Sequence, residues 1–360
     1  MSEEPLPSAI LGASGYIGQH FARLLADHPS FEPPVLGVGD RSAGKTLDSV
    51  WQLAEAPPAA LGGQRLRRLT PAGLQRRGVR VVFSALPSGT AGPVETELAR
   101  RGLSVFTNAA DHRLDRDVPL LVPEVNPDHL RLAAARPRGR GLLIANANCS
   151  ATGLVVALAP LVTLLGPRAV HVTTYQALSG AGYPGVPSLA IADNVVPFVR
   201  EEEEKVARES ARMLGTRHGS RVRPVGTPFV VHCARVATRE GHLEAVTVDA
   251  TRRPGRTAIE HALRNFDPLL GRRLPSAPHP PIELRSEPDR PQPVRDRWAG
   301  APPRARGMAV VVGRVRWDPP YLRFFLLSHN AVRGGAGGSV LNAELALEEG
   351  MISREGDGRP

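Results

Sequence analysis

The sequence predicts an α/β protein in two parts. A parallel sheet wound with helices comes first, followed by an α+β unit on a large mixed, mainly antiparallel sheet. Three observations carry this. A short strand runs into a glycine-rich turn and an amphipathic helix within the first 25 residues. Apolar strands then alternate with helical segments as far as Cys149. Beyond it the strands run to 6–10 residues and are rich in β-branched side chains, with sparse helices between them. At 360 residues the chain exceeds what one core usually holds, so two domains are expected.

The elements follow in order. SAIL at 8–11 reads as the first strand, and Ile17, Phe21, Leu24 and Leu25 share one face of the helix after it. VLGVG at 35–39, RVVFSALP at 80–87, LSVFTNA at 103–109 and LLIANANC at 142–149 read as further strands, with a helix through Val94 and Leu98. These strands end in Gly, Ser, Asn or Cys, which places a site at their carboxyl ends. A helix runs from Cys149 to about Leu165. AVHVTTYQA, PFVVHCARVAT, LEAVTVDA, MAVVVGRVRWD and LRFFLLSHNA supply the second sheet. The proline-rich segment 275–305 reads as a surface excursion, VLNAELALEEGMI as a closing helix and REGDGRP as a frayed tail.

Composition narrows the function. Apolar residues make up 42% and charged residues 22%, as in a soluble globular protein. No apolar run approaches the ~20 residues of a membrane span, and the acidic start lacks the basic region of a secretory leader. Two cysteines without metal-ligand spacing suggest neither a disulfide framework nor a metal site, and a reducing cytoplasm is the expected compartment. The net charge of +10 comes from scattered arginines rather than basic blocks, and aromatics are few. That argues against nucleic acid and suits small anionic ligands. A GC-rich genome that writes arginine for lysine also accounts for the charge. Only Lys45 and Lys205 are lysines, which marks them as places where a compact ammonium is wanted.

Gly12, Gly15 and Gly18 lie between strand and helix at the spacing that lets a backbone approach a pyrophosphate, a Rossmann-like signal for dinucleotide binding. At the end of the second strand Asp40 could meet a ribose hydroxyl. Arg41, Ser42 and Lys45 beside it make a cradle for a 2′-phosphate, which favours NADP; a solvated turn is the other reading. Cys149 stands between a strand and a helix, where backbone N–H groups stabilise a thiolate, or it is a buried small hydrophobe. Cys233, inside a strand, suits burial better. His232 and Arg235 must face opposite sides of their strand. His242, after the turn Glu240-Gly241, can reach a cleft and is the better candidate for acid–base work.

From about residue 8 to 352 the chain resembles the aspartate-semialdehyde dehydrogenase family in its archaeal and fungal form. The resemblance rests on collinear stretches: GASGYIG, RSAGK, SALPSGTAGPVE, VPLLVPEVNPDHL, NANCS, QALSGAGYPGVPSLAIADNVVPF, EEEEK, the REGH turn, DRPQP and HNAVRGGAGGSVLNAEL. It implies a Rossmann domain over 1–149 completed by a helix at 331–355, and a catalytic and dimerisation domain over 150–330. It also implies a homodimer or homotetramer. Cys149 would be the nucleophile, His242 the acid–base residue that takes its proton, and Gln176 the residue that orients the substrate. Asn148 would hold the acyl group, Arg235 the substrate carboxylate, and Arg113 the phosphate. Glu202 and Lys205 would contact the amine and phosphate, with Glu202 chosen among residues 201–204 because it precedes the lysine by three. NADP would lie along Gly12, Ser14, Gly15, Tyr16, Ile17, Arg41, Ser42, Lys45, Ser84, Leu86, Pro87, Ser179, Gly180 and Asn342.

The implied reaction is NADPH-dependent conversion of L-aspartyl 4-phosphate to L-aspartate 4-semialdehyde through a cysteine thioester, on the route to lysine, threonine and methionine. Ala147, Ala151, Ala234 and Leu243 depart from the family's usual proline, threonine, asparagine and threonine. The departures beside Arg235 and His242 leave room for a paralogue acting on another acyl phosphate or on malonyl-CoA. A non-enzymatic NADP-binding regulator is the alternative from another class.

Overall fold

The computed structural model describes residues 4–135 and 139–352, so the REGDGRP tail lies outside the described residues. The first sheet has β1 (Ser8–Leu11), β2 (Val35–Gly37), β3 (Val81–Ser84), β4 (Ser104–Thr107), β5 (Leu120–Leu121) and β6 (Leu143–Asn146). All its pairings are parallel, in the order β2-β1-β3-β4-β6-β5. β1, β3, β4 and β6 are buried along their whole length. Burial on both faces explains why these strands read as apolar runs instead of alternating patterns. The chain leaves β1 toward β2, then crosses back to β3 on the other side. That makes a switch point at their carboxyl ends, where ligands bind in such sheets. The longer helices are numbered here; α1 (Tyr16–Leu25) follows β1 and α2 (Ala91–Arg100) follows β3.

The second sheet contains β7 (Pro167–Gln176), β10 (Phe229–Arg235), β11 (His242–Ala250), β12 (Ile282–Leu284), β13 (Val310–Asp318) and β14 (Tyr321–Ser328), in the order β10-β7-β11-β14-β13-β12. Its three central pairings are antiparallel and its two outer ones parallel. A small hairpin, β8 (Thr216–His218) and β9 (Arg221–Arg223), stands apart. The proline-rich segment is more than a surface excursion. It contributes β12, parallel to β13 at the sheet edge, and its Asp296 is 2% exposed and accepts from Arg290 Nε at 2.7 Å.

α3 (Cys149–Leu165) joins the two sheets and shares one core with strands of both. A helix with protein on most sides must be apolar nearly all round, and LVVALAPLVTLL is. The Asn148 side chain caps it, accepting from the N–H groups of Ser150 at 2.9 Å and Ala151 at 3.1 Å. Gly166 ends it in a left-handed conformation, φ 55°. α4 (Glu202–Met213) packs against α3 and β10, and α5 (Arg256–Arg264) against α3 and β12. α6 (Gly337–Glu348) returns the chain to α1, β3, β4 and β6. No helix among the described residues is long and apolar enough to cross a membrane.

Candidate active site

Between the sheets lies a cavity of about 470 Å³. From the first sheet come the ends of β1, β3 and β4, through Tyr16, Ile17, Leu86, Pro87, Asn108 and Arg113. From the second come Gln176 and Arg235, which sit opposite each other at the adjacent carboxyl ends of β7 and β10. β11 runs antiparallel to β7 and therefore begins, at His242, where β7 ends. Asn148 and Cys149 enter from the start of α3, and Glu202 and Lys205 from the first turn of α4.

The eight residues expected to carry chemistry or hold substrate thus line one cavity: Cys149, His242, Gln176, Arg113, Asn148, Glu202, Lys205 and Arg235. Of those expected to hold NADP, Tyr16, Ile17, Leu86, Pro87, Ser179 and Gly180 also line it. Gly12, Ser14 and Gly15 lead into it as the turn before Tyr16, while Arg41 and Ser42 lie on a short 3-10 segment beyond β2 and Lys45 three residues after it. Ser84 and Asn342 are buried outside the lining. Asn108 and Asn330 line the cavity without having been singled out in the sequence, and Gly334 and Gly335, the glycines after Arg333 in the stretch HNAVRGGAGGSVLNAEL, line it too.

Cys149 is the first residue of α3, since the preceding strand ends at Asn146. Its thiol is pushed up to about 12, by burial first and then by Glu202, against the pull of Arg113, Arg235 and the Ser150 N–H. A turn spanning Val332–Ala336 packs directly against it. A Cβ placed on Gly334 would stand 2.6 Å from both Cα and Cβ of Cys149. Behind that turn Arg333 makes a two-pronged ion pair with Glu124 at 2.6 and 2.7 Å, both side chains 1% exposed. Cys233 is 3% exposed, on the buried face of β10.

The structure corrects the reading of His242. It does not swing on a loop; it opens β11, is 0% exposed, and its Nδ1 accepts the Ala177 N–H at 3.0 Å. The ring proton therefore resides on Nε2, which is buried without a partner. Burial, with Arg235 adding to it, lowers the imidazole to about 3. With Nδ1 engaged, the neutral ring offers an N–H donor at Nε2.

Around it the polar groups interlock. Gln176 Nε2 donates to Ser150 Oγ at 2.7 Å and to Glu202 Oε1 at 2.9 Å, leaving its carbonyl oxygen for the cavity. Arg235 Nη1 donates to Ala177 O at 2.7 Å. Among the four glutamates before Lys205, Glu202 faces the cavity. Glu201 pairs outside with Lys205 at 3.1 Å, and Glu203 accepts the Cys233 N–H at 2.9 Å. Three cations and one carboxylate face the cavity, which fits an anion that also carries an ammonium.

The glycine turn fits a pyrophosphate. Gly12 has φ 79°, and a Cβ there would sit 2.5 Å from Ala85 O; one on Gly18 would sit 2.1 Å from Gly12 O. No side chain caps the start of α1, so its first N–H groups face outward. Beyond β2, Asp40 is taken by Arg68 at 2.9 Å, whereas Arg41 and Lys45 are exposed. That leaves cations rather than a carboxylate for a ribose 2′ position. Among the described residues no three His, Cys, Asp or Glu side chains are placed to hold a metal ion.

Fold and site together define a two-domain α/β protein whose cysteine-bearing cleft adjoins a dinucleotide-type glycine turn. Two family models match, the NAD-binding domain of semialdehyde dehydrogenase over residues 8–133 and its dimerisation domain over 158–333. The chain belongs to the semialdehyde dehydrogenase family. It is 42% identical to the aspartate-semialdehyde dehydrogenase of Archaeoglobus fulgidus, over 95% of this chain and 98% of that protein. It is 37% identical to a malonyl-CoA reductase (NADP) of Metallosphaera sedula, over 97% and 99% of the two chains. The crystal structure of aspartate semialdehyde dehydrogenase with NADP from Candida albicans superimposes with a TM-score of 0.85. The two are 34% identical, and the match covers 97% of this chain and all of that one.

Proposed function

We propose that the protein is an NADP-dependent aspartate-semialdehyde dehydrogenase that interconverts L-aspartyl 4-phosphate and L-aspartate 4-semialdehyde through a thioester on Cys149. One observation carries this reading: a thiol, a fixed N–H donor, three cations and a single carboxylate converge in one cavity beside the glycine turn. Arg235 suits the substrate carboxylate and Glu202 its ammonium. Arg113 and Lys205 suit the phosphate.

In the acylation step, sulfur bonds to the acyl carbon and the acyl–oxygen bond breaks. The thiol proton leaves with the phosphate, so thiol plus acyl phosphate gives thioester plus hydrogen phosphate. Arg113 and Arg235 favour the thiolate against burial. The Nε2–H of His242 is set to donate to the oxygen that gains charge when the carbonyl becomes tetrahedral. Gln176, anchored to Ser150 and Glu202, orients the acyl group. NADP would lie over the glycine turn, with its 2′-phosphate at Arg41, Ser42 and Lys45, and would supply or accept the hydride. Gly334 and Gly335 close the cleft on the Cys149 side.

Malonyl-CoA would bring no ammonium to Glu202, which weighs for the aspartyl substrate. The outer face of the second sheet exposes Tyr175 and Val230, and Phe198 is exposed nearby in the chain leading to α4. This apolar set lies within the stretch matched by the dimerisation model and supports a homo-oligomer, which sedimentation at micromolar concentration tests. The two unpaired cysteines suit a reducing cytoplasm.

The test is a steady-state assay in the oxidative direction, with NADP⁺, phosphate and a panel of aldehydes. Aspartate 4-semialdehyde is expected to be preferred by orders of magnitude. Preference for an aldehyde without an amine would overturn the substrate assignment.

A further inference from the structure

Glu209 lies on α4 two turns beyond Glu202, is 3% exposed, and is not part of the cavity lining. Its Oε2 accepts the backbone N–H of Asn148 at 2.6 Å. Its Oε1 accepts from Arg113 Nη1 at 3.0 Å. One carboxylate therefore ties together two segments that leave the carboxyl ends of the neighbouring strands β4 and β6. Arg113 comes from the segment after β4, and Asn148 is the residue that caps the Cys149 helix.

Neither partner is left to other restraints alone. The Asn148 side chain caps α3 and its carbonyl accepts from Thr152, while Glu209 holds its N–H. Arg113 Nη2 donates to Asn108 O at 2.9 Å, while its Nε is buried without a partner. With Nη1 on Glu209 and Nη2 on Asn108, the guanidinium is held by two prongs and has one face to spare. A carboxylate can accept both donors at once. An amide in its place offers a single acceptor, and its N–H₂ would oppose one of the two.

We propose that Glu209 is a positioning residue for the phosphate of this reaction, setting the place of Arg113 relative to Cys149. The proposal rests on the reading of Arg113 as the cation that meets phosphate. In one direction the group so placed is the leaving phosphate of the acyl phosphate. In the other it is the inorganic phosphate that attacks the thioester. In both, the phosphate oxygen must be held in line with the carbonyl carbon bonded to Cys149, and a misplacement of about 1 Å is costly.

The experiment uses the full-length protein and inorganic phosphate. Protection of Cys149 from iodoacetamide by phosphate measures phosphate binding without turnover, and the oxidative assay gives KM values for phosphate and NADP⁺. In Glu209→Gln the KM for phosphate is expected to rise about tenfold or more. Protection should shift to correspondingly higher phosphate, and the KM for NADP⁺ should stay within about twofold of wild type. Glu209→Asp should recover part of the loss, and it carries the test if Glu209→Gln does not bind NADP⁺. Because Glu209 acts through Arg113, adding Glu209→Gln to Arg113→Ala should raise the phosphate KM no further than Arg113→Ala alone.

A Glu209→Gln or Glu209→Asp enzyme with wild-type or tighter phosphate binding overturns the proposal, as does simple additivity in the double variant. If phosphate does not protect Cys149 in the wild type, the proposal fails together with the phosphate reading of Arg113. If the wild type is protected and the Glu209 variants match it, only the proposal fails.

Discussion

Cys149 and His242 have opposite problems at the level of single residues. Burial holds the thiol protonated in the ligand-free cleft, and burial also keeps the imidazole from gaining a proton. The Ala177 N–H on Nδ1 then decides which nitrogen carries hydrogen. His242 accordingly acts as a donor through the whole working range of pH. His242→Asn is expected to lose about 10²–10³-fold in turnover, the usual loss for a hydrogen-bond donor to a developing oxyanion. The wild-type ring should show the neutral Nε2–H tautomer by ¹⁵N NMR from pH 5 to 8. An imidazolium signal within that range would contradict the assignment. Cys149 was open to sequence reading as the proposed nucleophile because a cysteine at a strand–helix junction has a local signature. The tautomer was not, because it depends on where β11 starts relative to the end of β7.

Among the elements, the turn Val332–Ala336 and α4 do most to shape the cleft. Gly334 leaves no room for a side chain, with Cys149 backbone and Cβ within 3.0 Å of any Cβ it might carry. Gly334→Ala should therefore push the turn and Cys149 apart and lower turnover by about tenfold or more, while the melting temperature changes little. Stopped-flow or steady-state rates on the purified variant check this; unchanged turnover would show that the turn is free to move. By resemblance, EEEEK holds an acidic-x-x-Lys pair, Glu202 and Lys205. The structure divides the labour among the glutamates of α4. Glu202 faces the cavity, Glu203 holds β10 and Glu209 holds Arg113 and Asn148. Strand and helix order followed from periodicity, but Glu209's partners stand 61 and 96 residues away in the chain, and no local pattern reports such a pairing.

The molecule as a whole encloses its site between two sheets, and the floor of that site carries buried titratable groups on one strand. Glu244, two residues on from His242 and on the same face of β11, is 0% exposed with both carboxylate oxygens unpaired. Burial, and then Glu202, raises its carboxyl well above the ordinary 4.5. The folded protein thus keeps a proton that the unfolded chain releases above that pH. Stability is lost as pH rises, by about 1.4 kcal/mol per pH unit until the folded group itself ionises. Replacing the carboxyl with a neutral amide removes this dependence. In urea unfolding, Glu244→Gln should gain on the wild type at pH 8 relative to pH 5; a difference that does not change with pH would contradict the neutral carboxyl.

The central claim is the thioester on Cys149, and one measurement addresses it. The protein is mixed with aspartate 4-semialdehyde and NADP⁺ in the absence of phosphate, and NADPH formation is followed alongside intact-protein mass. A burst of about one NADPH per active site is predicted, with an acyl adduct on Cys149 that hydroxylamine or added phosphate releases and that Cys149→Ser does not form. Steady NADPH production without phosphate and without an adduct, or an adduct that persists in Cys149→Ser, would contradict the account.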